Sequence, residues 1–413
     1  MNVELQKVIT EWIEYAKLQV QSTVGREAHF KINQDLACAL VGVRRSGKTT
    51  LACQQIFKSS RNFLYINFED PYFSMHSSFQ ILDELLSEYS NLYNREPDHI
   101  IFDEVHNIVG WERWVRKFVD RKKGKIVITG SSSKMLSGEF STALTGRNLT
   151  YEIWPLTFQE YVNFKNIPNH PEVLLQAFSD FIRWGAFPRV VTELDPLARK
   201  QLLLQYYTDT ILKDVVQRNE IRDVNSLLNV FNYYLTNISS LHSYTSIKNA
   251  FGLSLHAPAA YTQALTSAFL IFEVKVYSKN LKVQNRHPKK VYAIDTGFRN
   301  ANASSASYDY GKLLENAVYL ELRKRQKNIY YHKGQYECDF IVAENYRPTQ
   351  LIQVTESISN EQTKERELAG LTEAMKLHRI QEGLILTQKD EGVITTPAGK
   401  VQIIPAWKHF VEI

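Results

Sequence analysis

Residues 36–50 read Leu-Ala-Cys-Ala-Leu-Val-Gly-Val-Arg-Arg-Ser-Gly-Lys-Thr-Thr. They begin with an apolar run of strand length, Leu36 to Val41, and continue into a loop that satisfies the pattern G-x-x-x-x-G-K-S/T. Gly42 and Gly47 permit backbone conformations in which successive N–H groups surround a phosphate, and a helix that starts here directs the positive end of its dipole at the same anion. The stretch therefore predicts a phosphate-binding loop between a buried strand and a helix.

The residues of this loop predict a binding site for ATP with Mg²⁺. Lys48 is expected to reach the β- and γ-phosphates, and the Thr49 hydroxyl is expected to ligate Mg²⁺. A chance match on a glycine-bearing turn is the alternative, but the strand before the loop and the helix after it favour phosphate binding. The predicted nucleotide-binding residues are Gly42, Val43, Arg44, Arg45, Ser46, Gly47, Lys48, Thr49 and Thr50.

A second apolar strand, His99 to Phe102, ends in two carboxylates, Asp103 and Glu104. Mg²⁺ keeps several waters and accepts few protein oxygens, so Asp103 is expected to hold the ion through its water shell. Glu104 is the predicted catalytic residue that polarises the attacking water, which favours hydrolysis over passive nucleotide binding. The alternative is a strand that merely ends in solvent with acidic side chains.

Two further positions are candidates for the catalytic site. Thr129 or Ser131, at the end of the apolar run Ile126 to Ile128, is placed to sense the γ-phosphate, although Gly and Ser also turn chains without any such role. Arg147 is a candidate for stabilising charge on the transferring phosphoryl group, from within the chain or across a subunit contact. A surface arginine is the alternative.

The apolar runs and the segments between them indicate how the chain is organised. Short, continuously apolar strands separated by helix-length segments are typical of a parallel sheet covered by helices on both faces. An amphipathic helix is predicted over Glu4 to Gln21, before the first strand. From about Pro155 to Ser240 the apolar residues recur three and four apart, which predicts helices. Helix–turn–helix and strand–loop–strand patterns follow to Asp295, then a polar linker from Arg299 to Tyr308 and a C-terminal α/β domain.

Composition limits the class of protein. At 413 residues the chain exceeds one ordinary core, and 44% hydrophobic with 23% charged residues is typical of a folded globular protein. The net charge of +5 permits contact with nucleic acid without requiring it. Three cysteines without metal-like spacing indicate a reducing cytoplasm, and neither a signal peptide nor an apolar run of about 18 residues is found. We therefore expect a cytoplasmic protein with no membrane span.

A fixed order of short motifs runs through nearly the whole chain. The motifs are Gly42 to Thr50, Ile66 to Asp70, Phe102 to His106, Gly130 to Ser133, Leu144 to Arg147, Pro155 to Glu160, Trp184 to Pro188, Lys213 to Val215, Tyr292 to Gly297, Leu314 to Asn316 and Glu337 to Phe340. This order resembles a family of prokaryotic AAA-superfamily P-loop ATPases that carry a C-terminal domain of unknown function.

The resemblance implies an α/β fold with four parts: a P-loop AAA-type parallel sheet, a helical lid, a winged-helix domain and a C-terminal restriction-endonuclease-like α/β domain. The expected limits are 1–154 for the ATPase core, 155–240 for the lid, 241–298 for the winged helix and 309–413 for the last domain. Biological roles in this family are largely unassigned, so the resemblance indicates architecture more than purpose.

The segment expected to form the winged helix carries mixed signals for DNA binding. Its predicted third helix starts at Ala257 without a basic residue, which is not what base readout needs. The hairpin that follows has six basic residues and no acidic one between Lys275 and Lys290, so it is expected to contact DNA phosphates in a salt-sensitive, sequence-tolerant way. A solvated hairpin loop is the alternative.

The resemblance also implies a nuclease-like site that lacks one member. Such sites join a helical Glu to Asp and Glu/Gln-x-Lys on adjacent strands, and Glu315, Asp339 and Gln353 match these positions. The two carboxylates and the amide carbonyl are expected to hold a hard divalent cation. Thr355 stands where the lysine would be, which removes positive charge at the reacting phosphate and argues against nuclease activity. A lysine from elsewhere in the chain, for instance Lys333, is the alternative.

We therefore expect a cytoplasmic Mg²⁺-dependent ATPase whose nucleotide state repositions the winged-helix and degenerate nuclease-like domains on nucleic acid. Two alternatives stand beside it: a non-hydrolytic nucleotide switch that selects a protein partner, and an ATP-regulated DNA nuclease. The oligomeric state is open, and a homo-oligomer would allow Arg147 to act in a neighbouring subunit.

Overall fold

A computed structural model describes residues 2–131, 144–302, 309–325 and 328–411 of the chain. The chain divides into two compact units, Met1–Trp154 and Pro155–Ile413. In the described part of the chain, no helix is both long enough and apolar enough to cross a membrane.

The first unit contains a five-stranded sheet in which every neighbouring pair is parallel, with the order β2-β3-β4-β1-β5. Two of its strands, Ala37–Val41 and His99–Asp103, are buried along their whole length, which explains why they are largely apolar in sequence. The strands are β1 (Ala37–Val41), β2 (Phe63–Asn67), β3 (His99–Asp103), β4 (Lys125–Gly130) and β5 (Asn148–Glu152). The helices are α1 (Val3–Ser22), α2 (Lys48–Ser59), α3 (Pro71–Met75), α4 (Gln80–Tyr93) and α5 (Trp111–Asp120). The predicted parallel sheet is therefore confirmed.

Helix α1 covers one face of this sheet beside β2. Its first turn is capped by Asn2, whose side chain accepts a hydrogen bond from the Leu5 amide. Farther along, Trp12 Nε1 donates to Asp70 Oδ2 at 2.9 Å, and the Tyr15 ring stacks on that of Tyr65 with 6.1 Å between centroids. The predicted N-terminal helix thus buries the ring of Tyr65.

The second unit begins with a helical stretch and continues into a small antiparallel sheet with the order β6-β8-β7. The helical elements are α6 (Phe158–Phe164), α7 (Pro171–Trp184), α8 (Pro188–Thr192), α9 (Pro196–Asp209), a π-helix (Thr210–Gln217) and α10 (Val224–Thr236). They are followed by β6 (Leu241–His242), α11 (Tyr244–Phe251), α12 (Ala257–Ser267), β7 (Ile271–Val274), α13 (Leu281–Arg286), β8 (Lys289–Ala293) and α14 (Thr296–Asn302). The predicted helical stretch and helix pair are confirmed, but the connection between β7 and β8 contains a short helix.

The predicted linker from Arg299 to Tyr308 is wrong in its first part. Residues up to Asn302 belong to helix α14, while residues 303–308 lie outside the described part of the chain. The helix forms because Asp295, just before it, accepts a hydrogen bond from the Phe298 amide at 2.9 Å. The same carboxylate accepts from the Ala186 amide at 2.6 Å, so it also holds the turn after α7.

The remainder of the second unit is a mixed six-stranded sheet with the order β13-β14-β12-β11-β10-β9. Its elements are α15 (Tyr310–Lys324), β9 (Asn328–Lys333), β10 (Glu337–Glu344), β11 (Arg347–Val354), α16 (Glu361–His378), β12 (Glu382–Thr387), β13 (Gly392–Thr396), β14 (Gly399–Pro405) and α17 (Ala406–Val411). The predicted C-terminal α/β arrangement is confirmed at this level. Helix α16 packs on the sheet through Leu371, Ala374 and Met375.

Candidate functional site

The glycine-rich loop leaves β1 at the carboxyl edge of the five-stranded sheet and leads into α2. Gly42 has φ +151°, and a Cβ atom there would lie 2.1 Å from the Ile153 carbonyl oxygen, so no side chain fits. Gly47 has φ +91° and is the N-cap of α2, which starts at Lys48. The loop therefore brings backbone amides to the start of a helix, the arrangement that suits an anion.

The polar groups of the loop fit a phosphate. Lys48 is 5% exposed, and its Nζ donates to the carbonyl oxygens of Gly42 and Val43, both at 3.0 Å. Within the described residues, Ser46 Oγ is buried without a hydrogen-bond partner. Arg26, which precedes β1, contacts the loop: its Nη1 donates to the Ser46 carbonyl oxygen at 2.7 Å. A buried ammonium and an unsatisfied hydroxyl are groups that a phosphate oxygen would satisfy.

The other predicted loop residues differ in how far they are exposed to solvent. Val43 is buried, Arg45 is exposed, and Thr50 is half-buried in the first turn of α2. Arg44 forms an ion pair with Glu69, with 2.8 Å between Nη1 and Oε1.

Asp103, at the carboxyl end of β3, accepts hydrogen bonds from three hydroxyl groups. Thr49 Oγ1 donates to Oδ2 at 2.8 Å, Tyr65 OH donates to Oδ2 at 3.0 Å, and Thr129 Oγ1 donates to Oδ1. Burial, with the neighbouring Glu104 charge, raises the pKa of Asp103, while these hydrogen bonds act in the opposite direction. The two residues predicted to support Mg²⁺, Thr49 and Asp103, are therefore in direct contact, and their oxygens are the kind that a hard cation prefers.

Glu104 is held in a left-handed backbone conformation, with φ +52°. Its amide donates to Thr129 Oγ1 at 3.1 Å, and its carboxylate Oε2 lies 3.3 Å from His106 Nδ1. The side chain is buried beside Asp103 rather than pointing into solvent, so the alternative of a strand merely ending in water does not fit. His106, two residues along the chain from Glu104, was not among the predicted site residues.

Thr129, one of the two candidates for sensing the γ-phosphate, lies beside the acidic pair. Its hydroxyl donates to Asp103 and accepts from the Glu104 amide, so it holds the acidic pair and is already engaged within the protein. Ser131, the other candidate for sensing the γ-phosphate, is buried just after β4, at the same edge of the sheet.

Arg147 lies at the opposite edge of the sheet from the glycine-rich loop. Its carbonyl oxygen accepts from the amide of Ala37, the first residue of β1, and its side chain forms an ion pair with Asp120. The loop begins at Gly42, five residues after Ala37, and at about 3.3 Å per residue this distance is about 17 Å. The predicted action of Arg147 within its own chain is therefore corrected.

A second polar cluster lies in the second unit, around the predicted nuclease-like residues. Glu315 on α15 and Asp339 on β10 come together as predicted, but the residue between them is Lys290, from β8. Lys290 Nζ lies 3.0 Å from Glu315 Oε1, 2.8 Å from Asp339 Oδ1 and 2.9 Å from Glu337 Oε1. A lysine from a strand outside the C-terminal sheet therefore lies between these carboxylates.

Two further predicted residues lie near this cluster. Gln353 lies beside Asp339, where its Oε1 accepts from the Asp339 amide at 3.2 Å and its Nε2 donates to Glu367. Lys333, the predicted substitute lysine, pairs with Glu337 at 3.3 Å. Among the residues that the structure describes, no three His, Cys, Asp or Glu side chains form a ready metal-binding group.

The basic hairpin also differs from its prediction. Lys290 is buried in the cluster described above, and Lys289 pairs with Glu273 at 2.8 Å. Both side chains thus neutralise carboxylates inside the unit. The exposed basic residues of this segment are Lys279, Lys282 and Arg286, while Lys275 is half-buried and donates to Asn285.

Three family descriptions match successive parts of the chain. An AAA domain matches residues 34–162, a domain of unknown function (DUF8612) matches residues 175–308, and a second domain of unknown function (DUF4143) matches residues 310–408. The glycine-rich loop and the acidic pair lie within the AAA match.

Similar proteins match most of the chain. The uncharacterized protein MJ1544 of Methanocaldococcus jannaschii is 32% identical over 98% of this chain and 95% of its own length. An uncharacterized protein of Haemophilus influenzae is 30% identical over 74% of this chain and 79% of its own length. Among solved structures, the Walker-type ATPase PABY2304 of Pyrococcus abyssi is 12% identical, with a TM-score of 0.43 over 72% of this chain and 94% of that one.

Proposed function

The chain belongs to the same family as the uncharacterized protein MJ1544 of Methanocaldococcus jannaschii, and from its AAA domain we propose that it binds and hydrolyses ATP with Mg²⁺. One observation carries this proposal. Lys48, Thr49, Asp103 and Glu104 lie together at one edge of the sheet, where the glycine-rich loop meets α2.

Each of these residues has a distinct role in the proposed reaction. The loop amides and Lys48 bind the phosphates, with Ser46 Oγ as a further donor. Thr49 and Asp103 would hold Mg²⁺, which would neutralise charge on the phosphates. Glu104 orients and polarises the water that attacks the γ-phosphorus, and Thr129 fixes its backbone at the required place.

The rest of the chain is proposed to respond to the nucleotide. We assign residues 1–154 to the ATPase core, 155–240 to a helical lid, 241–298 to a winged helix and 309–413 to a restriction-endonuclease-like domain. ATP binding and hydrolysis would reposition the last two domains on DNA in the cytoplasm. Arg147, which lies away from its own nucleotide site, is proposed to act on the site of a neighbouring copy in a homo-oligomer.

Phosphate release from ATP by the purified protein tests this function. We expect Mg²⁺-dependent turnover that EDTA abolishes, because Thr49 and Asp103 would hold the metal with the phosphates. The assay is run with and without duplex DNA, and faster turnover with DNA would support the nucleic-acid part of the proposal. Stoichiometric retention of ATP without turnover, with or without DNA, would instead identify a nucleotide switch.

The exposed part of the basic hairpin is predicted to contribute to DNA affinity. Replacing Lys279, Lys282 and Arg286 by alanine is expected to weaken duplex binding. A protein that makes fewer phosphate contacts releases fewer counterions when it binds DNA. The slope of log K against log salt should become shallower by up to about 2.7, at about 0.9 per contact. Fluorescence anisotropy at several salt concentrations measures both quantities.

A matched triple variant controls for the change in net charge. Lys200, Lys376 and Lys389 are also exposed in the second unit but lie outside the hairpin. Their replacement by alanine should reduce affinity less and leave the slope nearly unchanged. Equal effects of the two triple variants would mean that the hairpin is only solvated.

A further inference from the structure

Tyr65 is a buried tyrosine of strand β2 whose hydroxyl contacts a predicted metal ligand. Its side chain belongs to the same core cluster as Ala16 of α1 and Leu51 of α2. A phenylalanine would fill nearly the same space, whereas a buried hydroxyl needs a hydrogen-bond partner. That partner is Asp103, whose Oδ2 accepts from the Tyr65 hydroxyl at 3.0 Å. The hydroxyl therefore contributes a specific contact with Asp103 beyond filling the core.

The carboxylate of Asp103 is held from both sides along the sheet. Strand β3, which ends at Asp103, lies between β2 and β4. Tyr65 donates from β2 to Oδ2, and Thr129 donates from β4 to Oδ1. Thr49, the third donor, is itself proposed to hold Mg²⁺. Hydrogen bonds of this kind orient a carboxylate that ligates a metal, so Tyr65 and Thr129 together orient Asp103.

The ring of Tyr65 is in turn held by helix α1. The Tyr15 ring stacks on it with 6.1 Å between centroids, and the Trp12 ring packs against it in an edge-to-face arrangement at 5.8 Å. Trp12 is fixed by its own hydrogen bond, from Nε1 to Asp70 Oδ2 at 2.9 Å. A continuous set of contacts therefore runs from α1 through Tyr65 to the carboxylate of Asp103.

We propose that Tyr65 is a positioning residue for Asp103: its hydroxyl holds the carboxylate in the orientation that Mg²⁺ binding requires, and α1 holds Tyr65 through Trp12 and Tyr15. This inference rests on the proposed binding of ATP with Mg²⁺ and adds one residue and one helix to it. Helix α1 then affects the metal-dependent part of nucleotide binding without contributing a metal ligand.

Tyr65→Phe tests the proposal, because it removes the hydroxyl and keeps the ring. The probe is the non-hydrolysable ATP analogue AMP-PNP with a fluorescent N-methylanthraniloyl group, and its binding is measured by anisotropy in EDTA and in Mg²⁺. The Mg²⁺ effect is the ratio of the dissociation constant in EDTA to that in Mg²⁺. Wild-type protein should bind the probe more tightly in Mg²⁺.

Tyr65→Phe should match the wild type in EDTA, but its Mg²⁺ effect should be about tenfold smaller. Loss of a group that orients a metal ligand commonly costs about 10- to 100-fold in metal affinity. A merely structural role for Tyr65 predicts a different result, since a distorted phosphate loop would weaken binding of the probe equally in EDTA and in Mg²⁺. Tyr65→Phe is expected to fold, because Asp103 Oδ2 still accepts from Thr49.

Tyr89→Phe is the matched control for the lost hydroxyl. Tyr89 is also a buried tyrosine of the first unit, but its hydroxyl donates to Asn62 Oδ1, at 2.8 Å, and not to a predicted metal ligand. Its removal should leave the Mg²⁺ effect unchanged. An equal decrease in Tyr65→Phe and Tyr89→Phe would overturn the proposal, because the effect would then not depend on contact with Asp103.

Tyr15→Ala tests the contribution of α1. Tyr15 is 40% exposed, so the variant is expected to fold, but Tyr65 loses the ring that stacks on it. The Mg²⁺ effect should decrease by about threefold, in keeping with the usual strength of an aromatic pair. Tyr93→Ala is the control, because Tyr93 is 37% exposed and packs on Tyr89 with 4.7 Å between centroids. An unchanged Mg²⁺ effect in Tyr15→Ala would contradict the contribution of α1.

The wild type separates failure of this inference from failure of the proposed function. If wild-type protein does not bind the probe, or binds it no more tightly in Mg²⁺, the proposed function is contradicted and the inference with it. If the wild type shows the Mg²⁺ effect and Tyr65→Phe shows it undiminished, only the inference is overturned. Melting temperatures are measured for all variants, and if Tyr65→Phe does not fold, Tyr15→Ala decides whether contact with Tyr65 affects metal-dependent binding.

Discussion

Glu104→Gln is expected to lower ATP turnover by about 1,000-fold while ATP binding is retained, since a positioned general base contributes rate increases of this order. Glutamine has the same shape, so the left-handed backbone at this position and the hydrogen bond from its amide to Thr129 should persist. What is lost is the carboxylate that polarises the attacking water. Single-turnover hydrolysis of labelled ATP and retention of nucleotide on a filter measure the two properties separately.

Glu88→Gln is the matched control for this substitution. Glu88 is a buried glutamate in the same unit, but it accepts hydrogen bonds from Asn2 and Gln6 at the start of α1, not at the nucleotide site. Its neutralisation should leave turnover within a few-fold of the wild type. Undiminished hydrolysis by Glu104→Gln would contradict the proposed role of Glu104. Another group would then have to activate the attacking water.

Gly185→Ala is expected to destabilise the second unit by more than about 4 kcal/mol, or to prevent its folding. Gly185 follows α7 with φ +77°, and a Cβ atom there would lie 1.9 Å from Asp295 Oδ1. The carboxylate has little freedom to move away, because it accepts hydrogen bonds from the amides of Ala186 and Phe298. Urea unfolding followed by far-UV circular dichroism measures the loss.

Gly252→Ala separates the clash from backbone strain. Gly252 ends α11 with φ +64°, a similar left-handed conformation, but a Cβ atom there would have nothing within 4 Å. This variant should lose only about 1 kcal/mol, the usual cost of placing alanine where glycine is preferred. A comparable loss in both variants would show that the contact with Asp295 does not constrain the turn.

The features that were predictable from sequence are those whose physical cause is local. A strand buried on both faces is a short continuous apolar run, as in Ala37–Val41, and the loop that follows needs glycine where its backbone turns. The acidic pair was also predictable, because Asp103 and Glu104 directly follow such a run. Parallel strands then bring their carboxyl ends to one edge, so the loop and the pair meet.

Residues whose partners are distant in sequence were interpreted less well. Thr129 was predicted to sense the γ-phosphate, but its contact with Asp103 was not predicted, because that contact depends on β4 lying directly beside β3. Arg147 precedes β5, and the parallel pairing of β5 with β1 places it at the edge of the sheet away from the glycine-rich loop. In each case the sequence indicated the type of residue. It did not indicate the edge of the sheet at which the residue lies or the side chain that it contacts.

The sequence by itself determined the parallel sheet, the nucleotide loop and the acidic pair, since these depend on spacing within one strand–loop–helix segment. Only the tertiary structure decided which side chains the basic residues of the hairpin contact. Lys290 was predicted to belong to a basic hairpin that contacts DNA phosphates, yet it contacts Glu315 and Asp339, which lie 25 and 49 residues farther along the chain. An ion pair needs only proximity of opposite charges in space, so no local pattern records its partners.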